Sequence, residues 1–150
     1  MDKRTRVLNA MNKREVDHVP VGFWFHFGGE EAVGDACVQA HLKYYRETDL
    51  DFVKIMCDNY FPCPLPKIEK AEDWTTLKPL TADHPFIREQ VERAKAIVDD
   101  IGKERCVFYN VFAPFSSLRF GADAIGISDD QVMEYIRTDR TAVMKALDVI

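Results

Sequence analysis

The chain lacks a basic surplus, a long apolar run and a signal segment. Its 150 residues carry 25 acidic and 20 basic side chains, a formal net charge of -5, with Lys and Arg interspersed among the acids. This distribution argues against a nucleic-acid surface. No apolar run approaches the roughly 20 residues of a membrane helix, and the first residues lack the apolar centre of a secretory signal. We therefore expect a soluble, cytoplasmic protein with no membrane segment.

The cysteines are few and are not spaced as a metal site or a disulfide framework. Cys37, Cys57, Cys63 and Cys106 have no CxxC spacing, and each lies in or beside an apolar segment. This placement favours buried free thiols, so no metal ligand is predicted within the chain. Cys57 and Cys63 flank Asp58, and a thiol at the end of a strand can face a pocket.

What the sequence does contain is an apolar stretch that stops abruptly at a carboxylate. Residues 51–64 read DFVKIMCDNYFPCP, a nearly continuous apolar run typical of a parallel strand covered on both faces. Asp58 follows the run, and the carboxyl ends of parallel strands are where such folds bind ligands. Two interpretations stay open: Asp58 is a functional residue, or it starts a turn with Asn59.

A second candidate strand, residues 19–27 (VPVGFWFHF), ends at two glycines. Gly28 and Gly29 allow close approach by a ligand, which makes them candidate binding residues. His26 lies near the same end and either points to the rim that carries Asp58 or packs in the core.

Helical spacing alternates with these strands. The sequence predicts helices over residues 6–15, 31–46 and 86–101, a helix that begins at Pro114 and another that Ser128 and Gln131 open with a capping box. A third strand is predicted over residues 105–112, and Thr138 is predicted to cap a last helix. The long connection 61–83 holds a short helical turn over residues 72–77, in which Trp74 is either a lid aromatic or an anchor.

This order of elements predicts an α/β fold. We expect residues 1–150 to form the N-terminal part of a single (β/α)₈ TIM-barrel domain, with the remainder of the barrel outside this chain, because a closed barrel takes about 250 residues. Three parallel strands alone leave an edge of the sheet unpaired.

The sequence resembles the uroporphyrinogen decarboxylase superfamily over nearly its whole length. The resemblance is carried by residues 6–11 (RVLNAM), by residues 17–21 (DHVPV), by the strand that ends at Asp58 before a proline-containing loop, by residues 72–74 (EDW) and by residues 113–116 (APFS). Each motif is weak by itself, but all of them occur in the family's order.

The resemblance implies a barrel that acts on a tetrapyrrole or a corrinoid. It places Asp58 in the cleft, where a carboxylate stabilises positive charge on a protonated pyrrole. By the same resemblance Asn59, Phe115 and Phe120 contact the substrate. The family often forms dimers, so a homodimer is expected as well.

Two departures move the expectation away from the true decarboxylases. The resemblance implies an Arg-Gln-Ala-Gly-Arg segment after the first strand, but residues 25–29 read FHFGG. A tyrosine is implied where this chain has Phe120. Losing two cations that hold substrate carboxylates costs several kcal/mol, at about 1.5 to 3 kcal/mol for each charged hydrogen bond.

Three functions stay open. The first is methyl transfer between a corrinoid, possibly on a corrinoid protein, and a thiol. In that branch of the family the resemblance implies zinc and the corrinoid as cofactors, with zinc ligands beyond Ile150. The second is cofactor-free decarboxylation in porphyrin biosynthesis. The third is a non-catalytic corrinoid-binding protein, which the aromatic segment 23–27 suggests.

Overall fold

In a computed structural model the chain is mostly helical (56%) and has only two short strands. The structure describes residues 1–56 and 63–150. The chain divides into two compact units, Met1–Tyr60 with Arg88–Val111 and Phe61–Ile87 with Phe112–Ile150. The assignment of residues 1–150 to one domain stays a prediction. Among the described residues no helix is both long enough and apolar enough to cross a membrane.

The first unit is a two-stranded parallel sheet with helices. Its elements are α1 (Lys3–Met11), α2 (Gly34–Glu47), β1 (Phe52–Ile55), α3 (Pro85–Ile101) and β2 (Cys106–Tyr109), with a 3₁₀ turn at Gly29–Ala32. The residues of α3 from Arg88 on belong to this unit. Strand β1 pairs with β2 in parallel, with Lys54 opposite Phe108. Helix α3 connects the two strands, as a parallel pair requires.

One face of this sheet is buried. Val53 and Ile55 point from β1 into a core that α2 and α3 complete with Val38, Leu42, Tyr45, Ile97 and Ile101. Because side chains alternate along a strand, Phe52 and Lys54 lie on the opposite face.

The second unit packs helices around Trp74. It consists of a 3₁₀ helix (Ala71–Thr76), α4 (Pro114–Ala124), α5 (Asp129–Thr138) and α6 (Arg140–Val149). Trp74 is completely buried with Leu118, Val132 and Val143. The lid interpretation of Trp74 is therefore wrong, and the tryptophan anchors its segment to α4, α5 and α6 and not to the wall of a barrel.

Local sequence signals located several helices correctly. Pro114 is at the first position of α4, and the capping box of Ser128 and Gln131 opens α5. The predicted cap at Thr138 is wrong, because the Asp139 side chain accepts the hydrogen bond from the Ala142 N–H. Cys37, Cys63 and Cys106 are free thiols, but only Cys37 is buried, so the predicted burial is wrong for the other two, which are partly exposed.

The prediction of a barrel portion is wrong. Strands do not alternate with helices along the chain: two strands of four residues stand among six α-helices in the described ranges. The element that fails is the first predicted strand, since residues 19–27 form no ladder with β1.

Residues 19–27 do not pair with β1 because side chains occupy the positions where the hydrogen bonds of a ladder between the two segments would form. One backbone bond joins the two segments, from the Asp51 N–H to the Val21 carbonyl at 2.8 Å. Beyond it the Tyr45 hydroxyl accepts from the Lys54 N–H at 2.9 Å, and its proton faces two carbonyl oxygens, that of Lys54 at 2.9 Å and that of Phe23 at 3.1 Å. Residues 19–27 therefore run beside β1 with the Tyr45 hydroxyl between the two segments.

Charged side chains hold the beginning of this segment. Arg6 donates to both carboxylate oxygens of Asp17 at 2.6 and 2.9 Å and to Asp51 at 2.5 Å. The second oxygen of Asp51 accepts from the Val21 N–H at 2.7 Å. Hydrogen bonds from Arg6 hold the pKa of Asp17 well below its usual range. Burial works to raise the pKa of Asp51, but the bonds from Val21 and Arg6 outweigh it, so this pKa is lowered too.

Replacing Tyr45 by Phe should lower the free energy of unfolding by about 1–2 kcal/mol, because it leaves the Lys54 N–H without its acceptor and the carbonyls of Lys54 and Phe23 without the donor that they share. Burial raises the pKa of Tyr45 to about 12, so the folded state holds this proton more tightly than the unfolded chain. The wild type should lose stability as the pH rises from about 10 toward 12. Denaturant unfolding at several pH values should show this loss reduced in Tyr45→Phe and retained in the control Tyr44→Phe. Equal stability of the two variants would contradict the assignment.

Acid should weaken the contact between Arg6 and its two carboxylates. Since both carboxylates have lowered pKa values in the folded state, their contribution is present at neutral pH and is lost as the pH falls below about 4. Asp51→Asn should be less stable at neutral pH and should lose less on acidification, measured by thermal unfolding. The exposed Asp123→Asn is the control and should keep the wild-type pH profile. An unchanged acid profile in Asp51→Asn would rule the idea out.

Candidate functional site

The open face of the two-stranded sheet combines aromatic rings with a single lysine. The rings of Phe52 and Phe108 meet edge to face with centroids 5.3 Å apart. Lys54 lies on the same face. It is two residues after Phe52 on β1 and is paired with Phe108 of β2 in the strand register. Gly22 makes room for this arrangement, because a Cβ atom there would lie 2.3 Å from the Phe52 ring.

Lys54 is stacked on the indole of Trp24. Its Nζ is 3.7 Å from the ring centroid, within cation–π range, and the Trp24 side chain is 50% exposed. Such a contact contributes about 0.5–1 kcal/mol at an exposed site. Within the described residues no carboxylate forms an ion pair with Lys54. The ammonium group thus has one side covered by the indole.

The segment that carries Trp24 is an exposed aromatic strip. Phe23, Trp24 and Phe25 are 61%, 50% and 55% exposed. Phe27 is the buried anchor of the strip, with its ring 4.7 Å from that of His41 and 5.4 Å from that of Phe25. These rings do not share one face, because Phe25 packs beside Tyr44 of α2, with ring centroids 5.9 Å apart, whereas Trp24 lies on Lys54 of β1.

An apolar groove continues the same face toward the amino ends of the strands. It has a volume of about 450 Å³, within the range of small-molecule sites. Helix α1 forms one wall and the two strand phenylalanines form the floor. The lining residues are Val7, Ala10, Met11, Pro20, Phe52 and Phe108.

Behind the sheet, a buried polar cluster fixes the carboxyl end of β2. The Tyr109 hydroxyl donates to Gln90 Oε1 at 2.7 Å and accepts from Arg93 Nη2 at 3.2 Å. Arg93 Nη1 also lies 3.7 Å from Cys37 Sγ, which is 3.5 Å from His41 Nδ1. The cluster joins α2, α3 and β2, and it lies on the covered side of the sheet.

The structure describes some of the site residues predicted at the strand ends and leaves others outside the described ranges. Asp58 and Asn59 lie outside the described residues, so their roles stay predictions. His26 is exposed on the aromatic strip. Gly28 precedes the 3₁₀ turn, and Gly29 has a φ of +60°, with open space where a Cβ would be. The left-handed conformation explains Gly29 without any ligand.

Phe115 and Phe120 lie in the second unit. Phe115 is 37% exposed and borders a small groove with Arg119 and Val132. The Phe120 ring packs edge to face on Phe112, with centroids 4.9 Å apart. Arg119 is paired with Asp129 on the neighbouring helix. These contacts are all internal to that unit, and the substrate contacts that the resemblance implies stay predictions.

Lys54 and Trp24 are site residues that sequence reasoning missed. In the sequence, Lys54 interrupts the apolar run of residues 52–56, and Trp24 is one of several aromatic residues in the segment 19–27. The available signal was the interruption itself: a charge on a strand that is apolar otherwise has to face solvent, a partner or a ligand.

Neither the metal-binding side chains of the described residues nor comparison with known proteins assigns a function to this site. Within residues 1–56 and 63–150 no three His, Cys, Asp or Glu side chains are grouped as metal ligands, so the zinc implied by the resemblance has no ligand set there. Burial raises the pKa of the Cys63 thiol, which keeps it protonated. Comparison with protein-family models, with curated proteins and with solved structures finds no match.

The local charge beside Trp24 should appear in ion quenching of its fluorescence. Trp74, the other tryptophan, is completely buried, so quenchable emission comes from Trp24. Iodide should quench better than caesium because the Lys54 ammonium attracts anions, and Lys54→Met should lower the iodide-to-caesium ratio roughly twofold. The exposed Lys43→Met is the control for net charge. A ratio that falls equally in both variants would contradict a local effect of Lys54.

Proposed function

We propose that the chain binds a corrinoid or a related tetrapyrrole on the open face of its sheet, and that it takes part in methyl transfer between that corrinoid and a thiol. The observation that carries the proposal is the half-exposed indole of Trp24, held over Lys54 on the face that also carries the groove lined by Phe52 and Phe108. Exposed flat side chains beside an apolar groove form a surface complementary to a large flat ring.

The size and chemistry of the surface favour a macrocycle over a smaller ligand. The groove alone, at about 450 Å³, would accommodate a small apolar molecule. The indole of Trp24 over Lys54 adds a second flat apolar surface on the same face as the groove, and a corrinoid has an apolar ring plane with polar groups at its edge. Its plane would pack on the rings while its edge stays in water.

Methyl transfer is supported by the motif order described above. When bound, the corrinoid would supply the methyl group and keep the electron pair of the bond that joined it, while a thiolate would accept the methyl group and the thiol proton would pass to solvent. The chain's own contribution would be to bind and orient the corrinoid substrate, with Asp58 just after β1 as the nearest acidic residue in sequence to that strand's carboxyl end.

A binding role without turnover is the second candidate function. It is favoured by the chemistry of the described open face, where the side chains of β1 and β2 are two phenylalanines, Lys54 and the Cys106 thiol, with no carboxylate among them. Decarboxylation is less well supported, since residues 25–29 contain no arginine. We place either activity in the cytoplasm.

Binding should be measured by equilibrium dialysis against hydroxocobalamin, read from the corrinoid absorbance. Trp24→Ala and Phe108→Ala should each weaken binding by roughly tenfold, because a lost ring contact costs about 1 kcal/mol or somewhat more. Met144→Ala removes an equally exposed apolar side chain from α6 and should bind like the wild type. No saturable binding, or binding that both aromatic variants retain, would overturn the proposal.

Turnover should then be followed as loss of methylcobalamin absorbance in the presence of a thiol, with the thioether identified by mass spectrometry. Product formation that Asp58→Ala abolishes would support methyl transfer. Binding that survives Asp58→Ala, together with no thioether from the wild type, would leave the binding role in its place.

A further inference from the structure

We infer that two copies of this chain pair through residues 19–25, whose segments form an antiparallel β-ladder about a twofold axis. The surface involved is the outer edge of the segment, on the side away from β1. The inference goes beyond the proposed function and does not depend on it, because the groove and the Trp24 indole lie on the open face of the sheet and not at this edge.

The side chains of the segment alternate between two faces. On the open face of the sheet, Pro20 lines the groove and Trp24 lies on Lys54. Phe25 points to the opposite side, where its ring packs beside that of Tyr44 of α2. Alternation of this kind is the geometry of an extended chain. The segment is therefore shaped like a strand, although it forms no ladder with β1.

The backbone of the segment bonds toward β1 through its odd-numbered residues. The N–H and the carbonyl of Val21 both bond to the residue that precedes β1, and the Phe23 carbonyl faces the Tyr45 hydroxyl. In an extended chain the N–H and C=O of one residue point to one side, and those of the next residue point to the other. Those of Gly22 and Trp24 therefore point away from β1.

These outward groups form an open edge, which consists of the N–H and carbonyl groups of Gly22 and Trp24. Within residues 1–56 and 63–150 no hydrogen bond reaches any of these groups. A row of backbone donors and acceptors without partners is a template for another strand. The open edge thus fits an extended polypeptide, which pairs with it by main-chain hydrogen bonds.

One register makes the segment complementary to itself. If Gly22 of one copy lies opposite Trp24 of the second copy, the two residues exchange both of their N–H···O bonds, as in a hydrogen-bonded antiparallel pair. The twofold axis then repeats this exchange between Trp24 and the Gly22 of the second copy. Each Trp24 lies opposite a glycine, so no side chain on that face competes with the indole at the paired position.

The same register pairs the side chains of the other face. Phe23 lies opposite Phe23 of the second copy at the twofold axis, and Val21 lies opposite Phe25. Aromatic pairs and pairs of an aromatic with a β-branched side chain stabilise adjacent strands. In the single chain Val21, Phe23 and Phe25 are 43%, 61% and 55% exposed. Pairing would therefore remove apolar surface from water on both copies.

The lack of charge in the segment favours a second copy as the partner. Residues 19–25 read VPVGFWF, without a charged side chain, in a chain of net charge -5. Identical strands that carry charges repel each other where like charges lie opposite. Natural edges use lysines, bulges or prolines to prevent such pairing. Pro20 is the one such feature in this segment, and it lies outside the paired residues 21–25.

Sedimentation equilibrium of the whole chain should show a monomer and a dimer in equilibrium. Phe23→Lys and Phe23→Glu should each raise the dissociation constant of the dimer roughly tenfold or more, because the aromatic pair is lost and like charges face each other across the axis. An equal mixture of the two variants should dimerise more tightly than either variant alone, since opposite charges then meet. Variants that failed to fold would show no such rescue.

Val19→Lys is the matched control. It adds the same charge to a side chain that is 76% exposed. In the proposed register the two copies of residue 19 are roughly 25 Å apart, at about 3.4 Å per residue, and salt screens charges at that distance. This variant should dimerise like the wild type.

Amide hydrogen exchange locates the edge that pairs. With rising protein concentration, exchange should slow at Gly22 and Trp24, whose N–H groups enter the ladder. It should change little at Val21, whose N–H already donates to Asp51. A wild type that stays monomeric at every concentration would overturn the inference. A dimer that Phe23→Lys and Val19→Lys weaken equally, or one without slower exchange at Gly22 and Trp24, would do the same, because another surface would then form it.

Discussion

The hydroxyl group of Tyr45 is the contact on which the arrangement of the open face depends. It lies between the Lys54 backbone and the Phe23 carbonyl, so it ties the aromatic strip to β1 at the level of the lysine. The Tyr45 side chain is almost completely buried in the core between the sheet and α2. A buried hydroxyl without hydrogen-bond partners would cost about 1–3 kcal/mol. The Tyr45 hydroxyl therefore needs these backbone partners as much as the strip needs the hydroxyl. The stacking of Trp24 on Lys54 follows from this attachment.

The two faces of the sheet have different roles because only one of them is covered. Val53 and Ile55 stabilise the unit by burial, and the polar cluster around Tyr109 fixes the carboxyl end of β2 to α2 and α3. Those contacts keep the backbone of both strands in place. The other face can then carry side chains that contribute little to folding, since its geometry is set from behind. A rigid support under an exposed surface is what a binding site requires.

Local signals predicted much of the helical structure, and the errors concern contacts between distant residues. Helix α3 and the capping box of α5 depend on neighbouring residues, so the sequence located them well. The strand predicted over residues 19–27 has strong β propensity, but propensity cannot show that a tyrosine from α2 takes the ladder positions. The prediction of a barrel portion depended on that strand and is wrong for the same reason. Of the candidate site, the sequence indicated the aromatic segment and His26, whereas the pairing of Lys54 with Trp24 joins residues that only the fold brings together.

The cysteines bear on which thiol accepts a methyl group in the proposed reaction. Cys37 is 2% exposed and lies in the polar cluster on the covered side of the sheet. Burial raises the pKa of Cys63, which disfavours the thiolate that would attack. Cys106 begins β2, so it is about 10 Å from the carboxyl end of that strand, at roughly 3.3 Å per residue. Cys106 is paired with Phe52 in the strand register, so of the three described thiols it is the one on the open face, at the amino end of β2. A methyl acceptor at the carboxyl ends of the strands would therefore be a separate thiol substrate, which enters beside the macrocycle and leaves as the thioether.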